Sequence, residues 1–312
     1  MKPLRFFVLA SLLVLAMLAV ALVPSSDKRL LASALLDAGH VPLYALLAIL
    51  LLRLLRVAPG LVGRGPVLHY VLAFLGVVFF GLLTEFVQIF VQRDAEVLDL
   101  GRDLLGGGAA LLVNLAFERR AQRLLASFLI LLAIGLLGTG LAELGLIARD
   151  YLARDRAFPV LCEFDDAWEG RFVRVLDGEL ACVEPPSGWE VEGLVGRVKL
   201  EVAQFPGLLI REPVADWTAY QSLRLQIRTD EPLELVLRVH DAWHNETFTD
   251  RFNRKIPFAA GLSEIRIGLD EISEAPRGRS MDMSRIAGLA LFAESPQREL
   301  VFYVDSIELA VD

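Results

Sequence analysis

The sequence predicts a multi-domain membrane protein, in which an all-α bundle of about five transmembrane helices is followed by an all-β sandwich. Three observations predict this fold class. The 312-residue chain is 55% hydrophobic with a mean hydropathy of +0.51, which is too apolar for one ordinary soluble domain. Residues 1–147 hold 12 Lys and Arg against 9 Asp and Glu, a net of +3, and this leaves 19 against 30, a net of −11, for residues 148–312. All four Trp and both Cys lie in the second part.

Five stretches of the first part are long and apolar enough to cross a bilayer, which requires about 20 mostly apolar residues. They are Phe6–Val23, Leu36–Leu55, Val67–Val91, Leu98–Phe117 and Leu124–Ala148. The first stretch can also be interpreted as a cleaved signal peptide, because small residues follow Ala19 to Ala21, but its 18-residue apolar run favours retention. The predicted domains are a helical domain at 1–148, a polar linker at 149–159 and a β-sandwich at 160–312.

The basic residues between the stretches predict their orientation, because cytoplasmic loops carry an excess of Lys and Arg. With a cytoplasmic N-terminus, eight basic residues lie inside and four outside. The inner residues are Lys2, Arg5, Arg53, Arg56, Arg64, Arg119, Arg120 and Arg123, and the outer ones are Lys28, Arg29, Arg93 and Arg102. Five helices then place the acidic β-domain on the outer side of the bilayer. Its negative charge gives no electrostatic reason to expect nucleic-acid binding.

Polar residues interrupt the apolar stretches, although a charge at membrane depth costs about 2.5–3.5 kcal/mol. On helical spacing they form three sets that would lie at the outer end of the bundle. The sets are Asp37, His40 and Tyr44; Glu85 and Gln88; and Arg93, Asp99, Asp103 and Gly106. Two interpretations stay open: one polar pocket that opens outward, or interhelical hydrogen bonds and ion pairs in which Arg93 neutralises Glu85 or Asp99. The run Gly106-Gly107-Gly108 predicts close helix packing.

These polar positions resemble those of the VanZ-like membrane family. The resemblance covers residues 30–117 and rests on Glu85-Phe86-Val87-Gln88, Arg93, Asp99, Asp103 and Gly106, preceded by His40-Val41-Pro42-Leu43-Tyr44. Asp103 stands where many members have Asn, and Asp37 lacks the adjacent Lys that is usual there. The resemblance implies a bacterial inner-membrane protein of the cell envelope, and the basic residues predict its cytoplasmic N-terminus and its periplasmic or extracellular β-domain. The family is named for glycopeptide resistance, and it implies a fold rather than a defined activity.

Seven short runs of alternating residues after the linker, separated by turn residues, predict a β-sandwich. They are Arg171–Val175, Gly196–Val202, Leu223–Arg228, Leu233–Val239, Glu264–Leu269, Ala287–Phe292 and Leu300–Leu309. Over residues 160–311 the domain resembles the galactose-binding-like sandwiches of carbohydrate-binding modules. The resemblance rests on the segments Glu163–Asp166, Asp216–Arg224, His240–Asn245 and Val301–Ile307. It implies the fold, and a shared fold does not establish binding.

The segment 240–254 has the residue types of a sugar-binding site, which combines aromatic rings with planar hydrogen-bonding groups. The candidate binding residues are His240, Asp241, Trp243, His244, Asn245, Arg251 and Asn253, with Asp250 and Arg254 beside them. The alternative is a polar strand-loop-strand held by ion pairs, in which Trp243 covers the edge of the core. Trp217 is expected inside the core.

Carboxylates near the ends of the β-domain are candidates for a structural Ca²⁺, which prefers oxygen ligands. They are Glu163, Asp165 and Asp305, and exposed acidic strand ends are the alternative. No other cofactor is expected. Cys162 and Cys182 are a candidate disulfide if their compartment is oxidising, and two buried free thiols are the alternative.

Three functions stay open from the sequence. The first is a non-enzymatic envelope protein whose β-domain binds a glycan, or a lipid-linked or glycopeptide ligand. The second is an intramembrane enzyme acting on a lipid-linked substrate, with Glu85 or Asp99 as general base and His40 as acid–base partner. In that enzyme Arg93 would hold an anionic headgroup. The third is a scaffold or sensor, which ranks last because the sequence shows no cytoplasmic effector domain.

Overall fold

The computed structural model describes residues 7–8, 11, 29–58, 60–90 and 97–311, apart from the side chains of residues 89, 90 and 97. The chain divides into two compact units, Met1–Ala148 and Arg149–Asp312. Each unit has its own hydrophobic core. The first predicted span, Phe6–Val23, lies outside the described residues except at positions 7, 8 and 11.

Four helices among the described residues are long and apolar enough to cross a membrane. They are α1 (Leu30–Val57), α2 (Pro66–Phe90), α3 (Val97–Glu118) and α4 (Arg123–Ala157). Each overlaps one of the second to fifth predicted stretches, because long apolar runs rich in Leu and Ala favour helix. The count among the described residues is therefore four helices rather than the predicted five.

Glycines allow α3 to approach its neighbours closely. A Cβ on Gly106 would collide with the backbone carbonyl of Val41 in α1, and a Cβ on Gly107 would lie 2.8 Å from Val77 Cγ1 in α2. The three helices enclose a buried apolar cluster that includes Tyr44. The predicted close packing is thus confirmed for Gly106 and Gly107.

Replacing Gly106 with alanine is expected to lower the stability of the helical unit by about 1–3 kcal/mol, the usual cost of overpacking. Thermal unfolding of the full-length protein in detergent, followed by circular dichroism, measures the change. Gly101→Ala on the same helix is the matched control, because nothing lies within 4 Å of its added Cβ. The control is expected to be neutral or slightly stabilising, since alanine favours helix over glycine. Equal melting temperatures for the two variants would contradict the packing argument.

The segment 149–159, predicted as a polar linker, is helical as far as Ala157. It continues α4 because residues 149–157 contain no Gly or Pro, and Pro159 follows the helix end. The buried carboxylate of Asp150 accepts a hydrogen bond from Arg171 Nε at 2.5 Å. Arg154 donates to the carbonyl of Glu212 at 2.5 Å. This end of the helix therefore packs against the β-domain within the second unit.

The described residues of the second unit form eleven strands in two antiparallel sheets. The strands are β1 (Val160–Cys162), β2 (Val173–Leu176), β3 (Gly178–Val183), β4 (Val195–Leu200), β5 (Gly207–Arg211), β6 (Ser222–Thr229), β7 (Leu233–Asp241), β8 (Phe252–Phe258), β9 (Gly261–Gly268), β10 (Ile286–Phe292) and β11 (Leu300–Ala310). The six-stranded sheet has the order β3-β4-β11-β6-β9, with β1 beside β11, and the five-stranded sheet has the order β2-β5-β10-β7-β8. Two short helices complete the unit, α5 (Glu169–Phe172) and α6 (Leu269–Ser273). The predicted all-β architecture is confirmed.

The core of the second unit lies between the sheets, where inward side chains alternate with outward ones along each strand. Trp217 is 0% exposed there and its Nε1 donates to the carbonyl of Val214 at 2.8 Å, which confirms it as a core residue. Each of the seven predicted runs overlaps an observed strand, whereas β1, β3, β5 and β8 were not predicted. The strand β8 was missed because Asn253, Arg254 and Lys255 interrupt its apolar alternation.

Candidate functional site

The outer face of the five-stranded sheet gathers side chains that are distant in sequence. Directly paired residues of antiparallel strands point to the same side, so the register defines rows of neighbours across the sheet. One row is Arg174, Leu209, Ala290, Arg238 and Asn253. The next row is Leu176, Gly207, Phe292, Val236 and Lys255. A row rich in polar groups therefore lies beside a mainly apolar row.

His240 lies one row further along on the same face, where the register pairs Gly288 with both His240 and Arg211. A Cβ on Gly288 would stand 2.6 Å from His240 Cε1, so glycine leaves the space that the imidazole occupies. Burial, together with the positive charge of Arg238, lowers the pKa of His240 to about 4. The imidazole is therefore neutral near pH 7 and can both donate and accept a hydrogen bond.

A cavity of about 290 Å³ lies on this face. Three phenylalanines, Phe205, Phe248 and Phe292, line it together with Arg238 and Arg251. Phe248 is 63% exposed and Phe205 is 52% exposed, although aromatic side chains of this size are usually buried. The rings of Phe205 and Phe292 pack edge to face with centroids 6.0 Å apart. The cavity therefore offers aromatic surface to a ligand.

Several buried polar atoms around the cavity have no hydrogen-bond partner among the described residues. They are Nε of Arg238, Nε of Arg251, Nδ1 of His240 and Oδ1 of Asn253. An unsatisfied buried group costs about 1–3 kcal/mol, so these atoms indicate a surface that a polar ligand or water completes. The Arg238 guanidinium lies 5.8 Å from the ring centroid of Phe292, and that of Arg251 lies 5.6 Å from Phe248. These contacts orient both guanidinium groups beside aromatic surface.

The loop that follows β7 is held by one arginine. Arg279 donates to the carboxylate of Asp241 at 2.5 and 2.8 Å and to that of Asp250 at 2.6 Å. Burial alone would raise the pKa of Asp241, but the hydrogen bonds and the charge of Arg279, together with hydrogen bonds from backbone N–H groups, hold that pKa below its usual value. Asp250 accepts from the backbone N–H of Asn245 at 2.9 Å, and its carbonyl lies 3.0 Å from Nδ1 of His244. The predicted binding residues Asp241, His244 and Asn245 therefore support the loop.

Trp243 is 60% exposed, but it does not line the cavity. Its Nε1 donates to Asp282 at 3.3 Å, and the Arg285 guanidinium lies 5.3 Å from its ring. Of the predicted binding residues, only His240, Arg251 and Asn253 contribute to the outer sheet face. The sequence analysis missed the phenylalanines because they come from three separate segments. The one available signal was Phe248, an apolar aromatic residue within an otherwise polar loop.

The carboxylates predicted to bind Ca²⁺, Glu163, Asp165 and Asp305, line a second cavity of about 340 Å³. Burial, followed by the negative charges of Asp165 and Glu163, raises the pKa of Asp305 to about 6. Asp165 already accepts a hydrogen bond from the backbone N–H of Leu194 at 2.6 Å. Within the described part of the chain, no group of three or more His, Cys, Asp or Glu side chains is placed to hold a metal ion. The calcium site therefore stays a prediction.

Cys162 and Cys182 are free thiols in the structure, which is the alternative to the predicted disulfide. Cys162 is buried in β1 and its Sγ donates to Glu169 Oε2 at 3.1 Å, whereas Cys182 is exposed in β3. The two strands are not neighbours, because β1 pairs with β11 and β3 pairs with β4. Burial and the negative charge of Glu169 raise the pKa of Cys162 well above its usual value, so this thiol stays protonated.

In the helical unit, predicted polar residues of α1 and α3 meet. His40 Nδ1 is hydrogen-bonded to Asp103 Oδ1 at 2.8 Å, and His40 Nε2 lies 3.9 Å from Asp99 Oδ2. All three side chains are buried. One turn along α1, the hydroxyl of Tyr44 is hydrogen-bonded to that of Thr84 in α2 at 2.7 Å. The structure thus joins polar groups from three helices.

An ion-pair network that the sequence analysis missed completes this cluster. Arg102 donates to both Asp99 and Glu143, and its Nη1 lies 3.9 Å from the carboxylate of Asp37. The i, i+3 spacing of Asp99 and Arg102 was the available signal, but Glu143 lies on α4 and no local pattern links it to them. Arg93, the predicted partner of Asp99, lies outside the described residues.

The remaining predicted polar residues of the bundle lie on α2. Gln88 is buried and Glu85 is half-buried. Glu85 follows Thr84, whose hydroxyl is hydrogen-bonded to that of Tyr44 in α1. These residues extend the polar cluster from α1 and α3 onto α2.

No protein-family model and no curated protein matches the chain. Its β-sandwich resembles domains in several solved structures. An exo-beta-agarase matches at 17% identity and a TM-score of 0.41, over 49% of this chain and 25% of its own. A family 11 carbohydrate-binding module from Clostridium thermocellum, in complex with a beta-1,3-1,4-mixed-linked tetrasaccharide, matches at 14% identity and 0.37, over 49% of this chain and 94% of its own. The chain thus spans about a quarter of the agarase and nearly all of the module.

Proposed function

We propose that this protein is a membrane-anchored saccharide-binding protein, and that the glycan binds on the outer face of its five-stranded sheet. The observation that carries the proposal is the cavity between exposed Phe205 and Phe248, which is bordered by buried polar atoms without partners. Four apolar helices of the first unit would supply the membrane anchor.

The chemistry of this face suits a sugar ring. A pyranose presents apolar C–H patches that pack on aromatic surface, and it presents hydroxyls that both donate and accept hydrogen bonds. Phe248 and Phe205 supply the aromatic surface. The guanidinium of Arg238 supplies donors, the amide oxygen of Asn253 is an acceptor, and neutral His240 offers either role.

The cellular setting belongs to the same proposal. The VanZ-like polar positions and the distribution of basic residues support a bacterial inner-membrane protein whose sandwich lies outside the cytoplasm. There the sandwich would meet an envelope glycan or a lipid-linked saccharide. The helical unit would hold it at the membrane surface.

A glycan array probed with the full-length protein in lipid nanodiscs tests the proposal. We expect a defined set of glycans to be retained, and we expect Phe248→Ala to weaken their binding about tenfold because it removes stacking surface. Trp243→Ala is the matched control, because Trp243 is similarly exposed, at 60% against 63%, but lies outside the cavity. An array on which the wild-type protein retains no glycan would refute saccharide binding.

An intramembrane enzyme acting on a lipid-linked substrate is the second candidate, and the buried His40–Asp103 hydrogen bond favours it. A carboxylate on Nδ1 orients an imidazole and increases the basicity of its other nitrogen. Nε2 of His40 would then act as acid or base, with Asp99 3.9 Å away. Complementation of a deletion strain tests this candidate. If His40→Ala and Glu85→Gln restore every phenotype of the wild-type gene, the enzyme proposal fails.

A further inference from the structure

The outer face of the five-stranded sheet is basic, although the domain that carries it is acidic, with a net charge of −11 over residues 148–312. The register and the cavity lining place five basic residues on it, namely Arg174, Arg211, Arg238, Arg251 and Lys255. Two carboxylates lie on the same side, and both are near Lys255: Glu294 at 2.5 Å and Glu234 at 3.7 Å. Glu294 also lines the cavity, but neither acid forms an ion pair with an arginine of this face among the described residues.

The six-stranded sheet shows the opposite arrangement. Its register places Glu308 directly beside Arg224, and Glu179 directly beside Lys199. Lys199 also pairs with Glu299 at 3.0 Å. Lys199 and Arg224 on that sheet therefore have acidic neighbours, whereas Arg197 and Arg228 flank Tyr303 in another row. On the five-stranded face, the register pairs none of Arg174, Arg211 and Arg238 with an acidic residue.

The two arginines of the cavity are poised for an anion. Among the described residues neither Arg238 nor Arg251 forms an ion pair, and each has a buried Nε without a hydrogen-bond partner. Burial lowers the pKa of Arg238, and the adjacent charge of Arg251 lowers it further. Glu246, the acid whose charge acts on Arg238, has a side chain that is 94% exposed. An anionic group between the guanidiniums would relieve their repulsion and satisfy both donors.

We infer that the saccharide bound at this face is anionic, and that its carboxylate or phosphate group is held between Arg238 and Arg251. This inference rests on the proposed saccharide binding and names the chemical class of the ligand. A guanidinium binds either group through paired charge-assisted hydrogen bonds, whereas a neutral glycan would leave the charge of two partly buried arginines uncompensated. Arg174 and Arg211 extend the basic surface beyond the cavity, where further charged units of the same chain could lie.

Calorimetric titration of the full-length protein in nanodiscs with two matched pairs of probes tests the inference. One pair is an oligogalacturonate and its methyl ester, and the other is a phosphorylated mannan oligosaccharide and its dephosphorylated form. A preference for the charged member of the first pair would indicate a carboxylate ligand, and a preference in the second pair would indicate a phosphate ligand. We expect the charged member of at least one pair to bind about tenfold or more tightly than its neutral partner, because a charge-assisted contact is gained. That preference is expected to fall between about 0.15 M and about 0.5 M salt.

Two variants locate the effect. Arg238→Gln and Arg251→Gln are each expected to weaken binding of the charged member much more than binding of the neutral member, and so to remove the preference. Arg197→Gln removes the same charge from the six-stranded sheet and is expected to keep the preference. Equal binding of charged and neutral members, or a preference that survives both cavity variants, would overturn the anionic ligand and leave saccharide binding intact. If none of these probes binds and no glycan on the array is retained, both proposals are overturned.

Discussion

Replacement of Arg279 by alanine is expected to lower the free energy of unfolding of the β-sandwich by about 3–5 kcal/mol, the usual cost of leaving a buried charge unpaired. The Asp241 side chain is fully buried and receives two hydrogen bonds from Arg279, at 2.5 and 2.8 Å. Without the guanidinium, the carboxylate would have to be protonated or to draw water into the loop. Chemical denaturation of the full-length protein, followed by tryptophan fluorescence, measures the loss.

Arg254→Ala is the control for this prediction, because Arg254 forms an exposed ion pair with Glu271 at 2.9 Å. Its removal is expected to cost less than about 1 kcal/mol. A loss for Arg279→Ala as small as that of the control would contradict the structural role of the Asp241–Arg279 pair.

The same pair makes stability depend on pH in a defined direction. Because Arg279 holds the pKa of Asp241 and of Asp250 below their usual values, its stabilisation is complete above the usual aspartate pKa of about 4. It is lost as the pH falls through the lowered pKa values. The stability difference between the wild-type protein and Arg279→Ala should therefore shrink below about pH 4. A difference that is constant from pH 7 to pH 3 would contradict this linkage.

The helices and most strands could be predicted because their signals are local. Long apolar runs identified α1 to α4, and alternation identified seven of the eleven strands among the described residues of the sandwich. The difference in net charge between residues 1–147 and 148–312 also predicted the boundary between the two units. Weakly alternating edge strands such as β8 were missed because their outward residues are charged or polar.

The candidate site could be predicted only in part, because it depends on which side of each strand a residue faces. Asp241 and His240 are adjacent in sequence, yet Asp241 binds Arg279 while His240 lies on the outer face. A one-residue difference in register reverses this assignment, and sequence spacing does not determine the register. Phe205 and Phe292 join the site through sheet order alone, as β10 lies between β5 and β7.

The polar cluster of the helical unit was easier to anticipate. His40, Asp99 and Asp103 were selected because apolar helices rarely carry such residues without a partner. The residues that pair with them were harder to predict from the sequence. Arg102 and Glu143 lie on different helices and meet only because those helices pack together. The glycine at position 106 decides how closely α3 approaches α1, and it could be recognised from the small-residue run.

Replacement of Ala290 by tryptophan is expected to abolish saccharide binding, with a loss of about 100-fold or more, or about 2.8 kcal/mol. Ala290 lies between Leu209 and Arg238 on the outer face and lines the cavity. An indole at this position would occupy the space in which the sugar is proposed to pack. It would leave every polar group of the site unchanged in sequence. The side chain is 3% exposed and packs with Val236 and Phe292 on the outer face. The circular dichroism spectrum and melting temperature of the variant must therefore match those of the wild-type protein, which separates loss of the binding space from overpacking.

The measurement that tests the proposed binding face most directly compares this variant with Ala181→Trp. Ala181 lies on the six-stranded sheet in the row of Arg197, Tyr303 and Arg228, and it is exposed. Titration of full-length Ala290→Trp and Ala181→Trp with a glycan that the wild-type protein retains should show loss of binding in the first and wild-type affinity in the second. Wild-type affinity in Ala290→Trp, or loss only in Ala181→Trp, would contradict saccharide binding on the five-stranded sheet.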